Sequence, residues 1–156
     1  MGEFRDILII STPTDLPNFE KLLGNESHFG IRLSYKVQHS PDGLAQAFTL
    51  GEEFLGEEPC AMVLGDNIFN GNGLYQILRT ATQNAETGRA TVFGYFVTDP
   101  ERFRIVEFDA NGRVPSMEEK AKQTKSNYCI TDLYLLLQVS VVWPIMLSRR
   151  FAANWR

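Results

Sequence analysis

One carboxylate set directly after a short apolar run, in Gly65-Asp66-Asn67, is the arrangement in this sequence best suited to chemistry. Cys60-Ala61-Met62-Val63-Leu64 precedes it and reads as a buried strand, so Asp66 would stand rigidly at the rim of a sheet. That placement suits a Mg2+ ligand, because Mg2+ is held by one or two carboxylates and completes its shell with phosphates and water. The plainer alternative is a turn in which Asp66 caps the next segment. Glu118-Glu119-Lys120 is a second cluster. Its carboxylates could accept hydrogen bonds from sugar hydroxyls and its lysine could neutralise phosphate, or it could be a solvated strand end. Pro41-Asp42-Gly43 could bring backbone amides near a ligand ring, or be an ordinary turn. No Ser/His/Asp or Cys/His constellation is present, and Gly71-Asn72-Gly73 lacks the basic partner of a phosphate cradle.

The elements that must position these groups alternate. Ile7 to Ile10 is an apolar run bounded by Asp6 and Ser11-Thr12-Pro13, as in a strand buried on both faces. Asp15-Leu16-Pro17 predicts a helix start with Asp15 as cap, a stripe of Phe19, Leu22 and Leu23, and a stop at Gly24. Ile31–Val37 predicts a strand, Leu44–Leu55 a helix and Leu74–Asn84 another helix. Ala90–Val97, Arg104–Phe108, Val114–Met117 and Tyr128–Leu137 predict four more strands. Asn111-Gly112 between two of them predicts a hairpin turn with two positive φ values. Phe19, Phe48, Phe54, Phe93, Phe96 and Phe108 read as core. The pattern gives an α/β fold with a mixed, mostly parallel sheet and a β-hairpin excursion.

Composition bounds the function. The 156 residues are 44% hydrophobic and 22% charged, enough for a folded core and unlike a disordered chain. Nineteen acids against fifteen bases, with no Lys/Arg-rich run, argue against a nucleic-acid partner. Two separated cysteines in apolar stretches fit a reducing compartment, and no segment is long and apolar enough to indicate a membrane span, so a cytoplasmic protein is expected.

Taken together, Arg5–Pro13, Val37-Gln38-His39-Ser40-Pro41-Asp42-Gly43-Leu44-Ala45-Gln46-Ala47-Phe48 and Val63–Phe69 resemble the glucose-1-phosphate thymidylyltransferases, also called dTDP-glucose pyrophosphorylases. Asp99–Phe103, Val106–Asp109, Met117–Lys120 and Lys125–Tyr128 continue the resemblance in order, over about residues 4 to 134. It implies a Rossmann-like nucleotidyltransferase domain that joins dTTP and α-D-glucose 1-phosphate into dTDP-glucose and pyrophosphate with Mg2+. In bacteria that product feeds dTDP-rhamnose and surface polysaccharide such as O antigen. By position in the motifs, Asp66 is the implied catalytic and metal-binding residue, Gln38 and Gly43 meet the thymine base, Glu119 meets glucose hydroxyls and Lys120 meets the sugar phosphate. The family's homotetramers imply a homo-oligomer.

Departures from the family pattern shape the domain organisation. The family's first strand, its Gly-Gly-x-Gly-Thr-Arg-Leu loop and the lysine after it have no counterpart here, so Met1 reads as an internal start and the domain as incomplete. Arg104 stands where the family has a glycine near the sugar, Asp132 replaces the glycine of Thr-Gly-Leu-Tyr, and Ala121 replaces a proline. A second metal-binding aspartate would fall beyond residue 156. Residues 1–134 are therefore expected to be a partial nucleotidyltransferase domain, and residues 135–156 an off-frame tail. The expected product is an inactive, aggregation-prone chain; the alternative function is a non-catalytic remnant that binds sugar phosphate or associates with intact subunits. No acid follows Asp132, and both tryptophans, Trp143 and Trp155, lie in that tail. Joining the third base of each codon from Val142 onward to the first two of the next permits Met-Ala-Tyr-Asn-Val-Lys-Pro-Ser-x-Arg-Gly-Glu-Leu-Glu, the continuation expected of the family. The coding DNA is expected to encode that peptide in the offset frame; any other peptide there removes the frameshift reading.

Overall fold

A computed structural model of the chain describes residues 4–24, 30–40, 42–119 and 125–136. They fall into two compact units, one built on residues up to Cys60 and the other on Ala61–Leu136. The tail beyond Leu136 lies outside the described residues.

In the first unit, β1 (Asp6–Ser11), α1 (Leu16–Leu23), β2 (Arg32–Val37) and α2 (Ala45–Leu55) follow in order. β1 and β2 pair in parallel from Asp6↔Arg32 to Ser11↔Val37, the expected product of a strand–helix–strand crossover. The first rung is locked by Arg32, whose Nε and Nη2 donate to the two oxygens of Asp6 at 2.5 and 2.6 Å. The guanidinium holds the Asp6 carboxyl below its usual range. Gly51 lets α2 lie close on β1, for a Cβ there would stand 3.3 Å from Leu8 Cδ2. Asp15 occupies the cap position of α1 without bonding a backbone N–H. It accepts from the Thr12 hydroxyl instead, at 2.7 Å, so the expected cap is a side-chain link across the turn. Of the expected stripe, Phe19 and Leu22 are exposed, and Leu16 is the buried anchor.

The second unit holds β3 (Cys60–Val63), α3 (Leu74–Glu86), β4 (Thr91–Phe96), β5 (Arg104–Glu107), β6 (Ser116–Glu119) and β7 (Tyr128–Leu136). The order is β3-β7-β5-β6, with β4 also paired to β7. The registers β4–β7, β5–β6 and β5–β7 all run antiparallel. The fold is thus mixed α/β, with parallel pairing in β1-α1-β2 and antiparallel registers in the second sheet. α3 covers this sheet through a core of Ala81, Leu133 and Leu135, with Phe69, Leu78 and Phe93 packed against it.

The β5–β6 hairpin forms, but with a different turn. Gly112 has φ of 71°, whereas Asn111 does not take a positive value. Asp109 decides this: its Oδ1 accepts the N–H groups of Asn111 and Arg113, each at 2.8 Å. Asp109 and Arg113 close a three-residue loop with one left-handed glycine. Pro115 has no N–H to offer, and β6 begins after it, two residues later than expected.

Of the phenylalanines expected in the core, Phe48 is buried, whereas Phe19, Phe54 and Phe96 are exposed. Phe96 and Phe108 instead make edge-on contacts with Tyr128 at 5.6 and 5.9 Å. Gly94 makes room for this cluster, because a Cβ there would lie 2.7 Å from the Phe108 ring. Both cysteines are free and buried, and burial pushes the Cys60 thiol up to about 11. Gly94→Ala is expected to destabilise the fold by about 1–3 kcal/mol, the usual cost of overpacking, as a lowered urea midpoint; an unchanged midpoint would remove the close-approach role of Gly94.

Candidate active site

Gln38 follows the last rung of β2, and its N–H donates to Ser11 O at 2.8 Å, which fixes its backbone. Gly43, at φ 93°, starts the approach to α2 in a left-handed conformation that glycine adopts without strain. Gln46, on the first turn of α2, was not singled out from sequence, yet it organises this loop. Gln38 Nε2 donates to Gln46 Oε1 at 2.6 Å, and Gln46 Nε2 donates to Asp42 Oδ2 at 2.9 Å. The Ser40 hydroxyl donates to the same Asp42 oxygen. No local pattern marks Gln46, whose partner Gln38 lies eight positions away across a turn. Gln38, Gly43 and Gln46 thus form one polar loop in the first unit.

Asp66 lies in the second unit, on a turn closed by Asn67 N donating to Leu64 O at 3.2 Å. It is exposed, and its Oδ1 accepts from Asn67 Nδ2 at 3.2 Å. It does not cap α3, whose cap position is Gly73. A single exposed carboxylate on a short turn fits a cation that brings its own waters and phosphates. Among the described residues no group of three or more His, Cys, Asp or Glu side chains could enclose a metal. Glu119 ends β6, with its Cα opposite Arg104 of β5. Lys120 falls outside the described residues.

Arg104 and Asp132, two departures from the family pattern, meet at one tyrosine. Tyr134 is 1% exposed, and its hydroxyl donates to Asp132 Oδ1 at 2.9 Å. Burial raises the phenol's pKa, the Asp132 carboxylate raises it further, and a hydrogen bond from Arg104 opposes them. Asp132 keeps a left-handed backbone, φ 54°, in place of the expected glycine. Between Val92↔Tyr134 and Gly94↔Ile130 the β4–β7 register slips, so Asp132 sits in a bulge of β7. Leu64 N, two residues before Asp66, donates to the Asp132 carbonyl at 3.4 Å. The network therefore adjoins the turn that carries the candidate metal ligand.

The chain belongs to the nucleotidyl transferase family, which its residues 1–143 match. It is 56% identical over 134 residues to the glucose-1-phosphate thymidylyltransferase of Neisseria gonorrhoeae, covering 86% of this chain and 46% of that protein. The enzyme of the same name from Mycolicibacterium smegmatis is 46% identical over 134 residues, again 86% of this chain and 46% of the other. The chain thus spans under half the length of these curated relatives. Among solved structures it resembles a Bacillus anthracis protein described as a glucose-1-phosphate thymidylyltransferase, in complex with a sucrose. That likeness has a TM-score of 0.79 and 30% identity, over 97% of this chain and 60% of that one. A UDP-glucose pyrophosphorylase structure shares the fold at a TM-score of 0.68 and 16% identity, over 91% of this chain and 62% of that one. No helix among the described residues is long and apolar enough to cross a membrane.

Tyr134→Phe is expected to cost about 1–3 kcal/mol, because Asp132 and Arg104 each lose a partner in a buried setting. Urea unfolding measures it, and a loss below a few tenths would show that the network contributes no stability.

Proposed function

We propose that the chain supplies the base-reading, sugar-reading and metal-holding parts of a glucose-1-phosphate thymidylyltransferase. The observation that carries this is the exposed carboxylate of Asp66 on the tight turn after β3. The names of the relatives support the substrates, dTTP and glucose 1-phosphate. In the reaction a sugar-phosphate oxygen attacks the α-phosphorus of dTTP, and the bond from that phosphorus to the departing pyrophosphate breaks. Gln38 meets the base through its amide and Gly43 through its backbone. Glu119 accepts hydrogen bonds from glucose hydroxyls, and Lys120 neutralises the sugar phosphate. Asp66 is the residue that would hold Mg2+, and the ion would supply neutralisation of phosphate charge. What these residues contribute is mainly orientation and charge compensation. A cytoplasmic homo-oligomer supplying dTDP-rhamnose for surface polysaccharide is the setting this activity suits.

A second reading has one observation in its favour: these 156 residues contain no glycine-rich phosphate loop. On that reading the chain, with residues 135–156 as an off-frame tail, is a remnant that binds sugar phosphate without turnover. Pyrophosphate release from dTTP, glucose 1-phosphate and Mg2+ separates the two. Turnover that falls on the order of a hundredfold in Asp66→Asn supports the enzyme, whereas binding of glucose 1-phosphate without turnover supports the remnant.

A further inference from the structure

The polar loop of the first unit has a direction, and one carboxylate sets it. A carboxylate accepts hydrogen bonds and has none to give, whereas a carboxamide has one end of each kind. Asp42 Oδ2 therefore requires the NH2 end of Gln46, which donates to it at 2.9 Å. That leaves the Gln46 oxygen facing Gln38, and Gln38 in turn must offer its NH2, at 2.6 Å. The Gln38 carbonyl oxygen is then the group left for a ligand, together with the second N–H of its amide. Reversing Gln38 would set its oxygen against Gln46 Oε1, and reversing Gln46 to relieve that would set its oxygen against Asp42. The Ser40 hydroxyl, also donating to Asp42, reinforces the acceptor role of that carboxylate.

We propose that Asp42 is a positioning residue for base specificity, fixing the Gln38 amide through Gln46 so that its carbonyl oxygen faces the base. The inference rests on the reading that Gln38 meets the base. The ligand class it selects is a pyrimidine with a ring N–H beside a carbonyl, as in thymine or uracil. Such a ring donates to the Gln38 oxygen and accepts from its remaining N–H. A 4-amino pyrimidine, whose ring nitrogen accepts and whose amino group donates, requires the reversed amide. Asparagine at position 42 removes the constraint, because its own amide can present either end.

Calorimetric titration of the full chain with dTTP and with dCTP, both with Mg2+, tests this. The unaltered chain is expected to prefer dTTP by at least tenfold. Asp42→Asn is expected to lower that ratio about tenfold, mostly by a gain for dCTP, and Gln46→Leu to lower it similarly. Asp42→Glu, which keeps an acceptor, should restore most of the preference. Asp42 is exposed, so these variants are expected to keep the fold, which circular dichroism checks. A dTTP/dCTP ratio unchanged in both Asp42→Asn and Gln46→Leu overturns the proposal, even if both affinities fall together. Binding to the unaltered chain that is unaffected by Gln38→Ala overturns the reading of Gln38 beneath it, as does the absence of any nucleotide binding.

Discussion

A β-strand has two edges, and β7 must serve three neighbours with them. β4 takes one edge along the strand, while β5 meets the other at Cys129 and the turn after β3 meets it at Asp132. The bulge at Asp132 is where this sharing occurs, and the left-handed backbone there is unusual for a residue with a side chain. Aspartate is among the few non-glycine residues that accept it, and here its carboxylate gains a buried tyrosine hydroxyl. β3 pairs with β7, and the turn bearing Asp66 is tied to this irregular residue through the Leu64 N–H.

The same polar network joins positions far apart in sequence. Arg104 comes from β5, Tyr134 and Asp132 from β7, and the carbonyl of Asp132 anchors the end of β3. In the first unit a second chain of polar side chains runs from Ser40 and Asp42 through Gln46 to Gln38. In both, an acceptor-only carboxylate dictates how its neighbours must turn. Where such a network is sheltered from water, as at the buried Tyr134, it fixes a unique arrangement because misorientation leaves a donor or acceptor unsatisfied.

Much of this was legible in the sequence where local rules decide. The apolar runs at Ile7–Ile10 and Cys60–Leu64, the glycine stop at Gly24 and the hairpin around Asn111-Gly112 needed nothing from distant residues. What was not legible depended on competition or tertiary contact. Asn-Gly suggested a two-residue turn, but the Asp109 side chain captured two backbone N–H groups and widened it. Phe96 looked like core by residue type, yet it lies on an open sheet face against Tyr128. Asp66 stood out from its place directly after an apolar run, and Gln38 and Gly43 from their position in a family motif, whereas Gln46 was missed because its hydrogen bond to Gln38 exists only once the chain has turned back on itself. Arg104 and Asp132 could be marked as departures, but nothing in their spacing of 28 positions said that one tyrosine would connect them.

The two buried thiols give the fold a pair of internal clocks. Cys60 begins β3 and Cys129 lies in β7, and burial disfavours the thiolate of each. A thiolate is the species that reacts with alkylating reagents. Each sulfur is therefore silent in the closed sheet and becomes reactive when its own strand opens. The labelling rates at the two positions consequently read out how independently those strands breathe, without any probe being added to the chain.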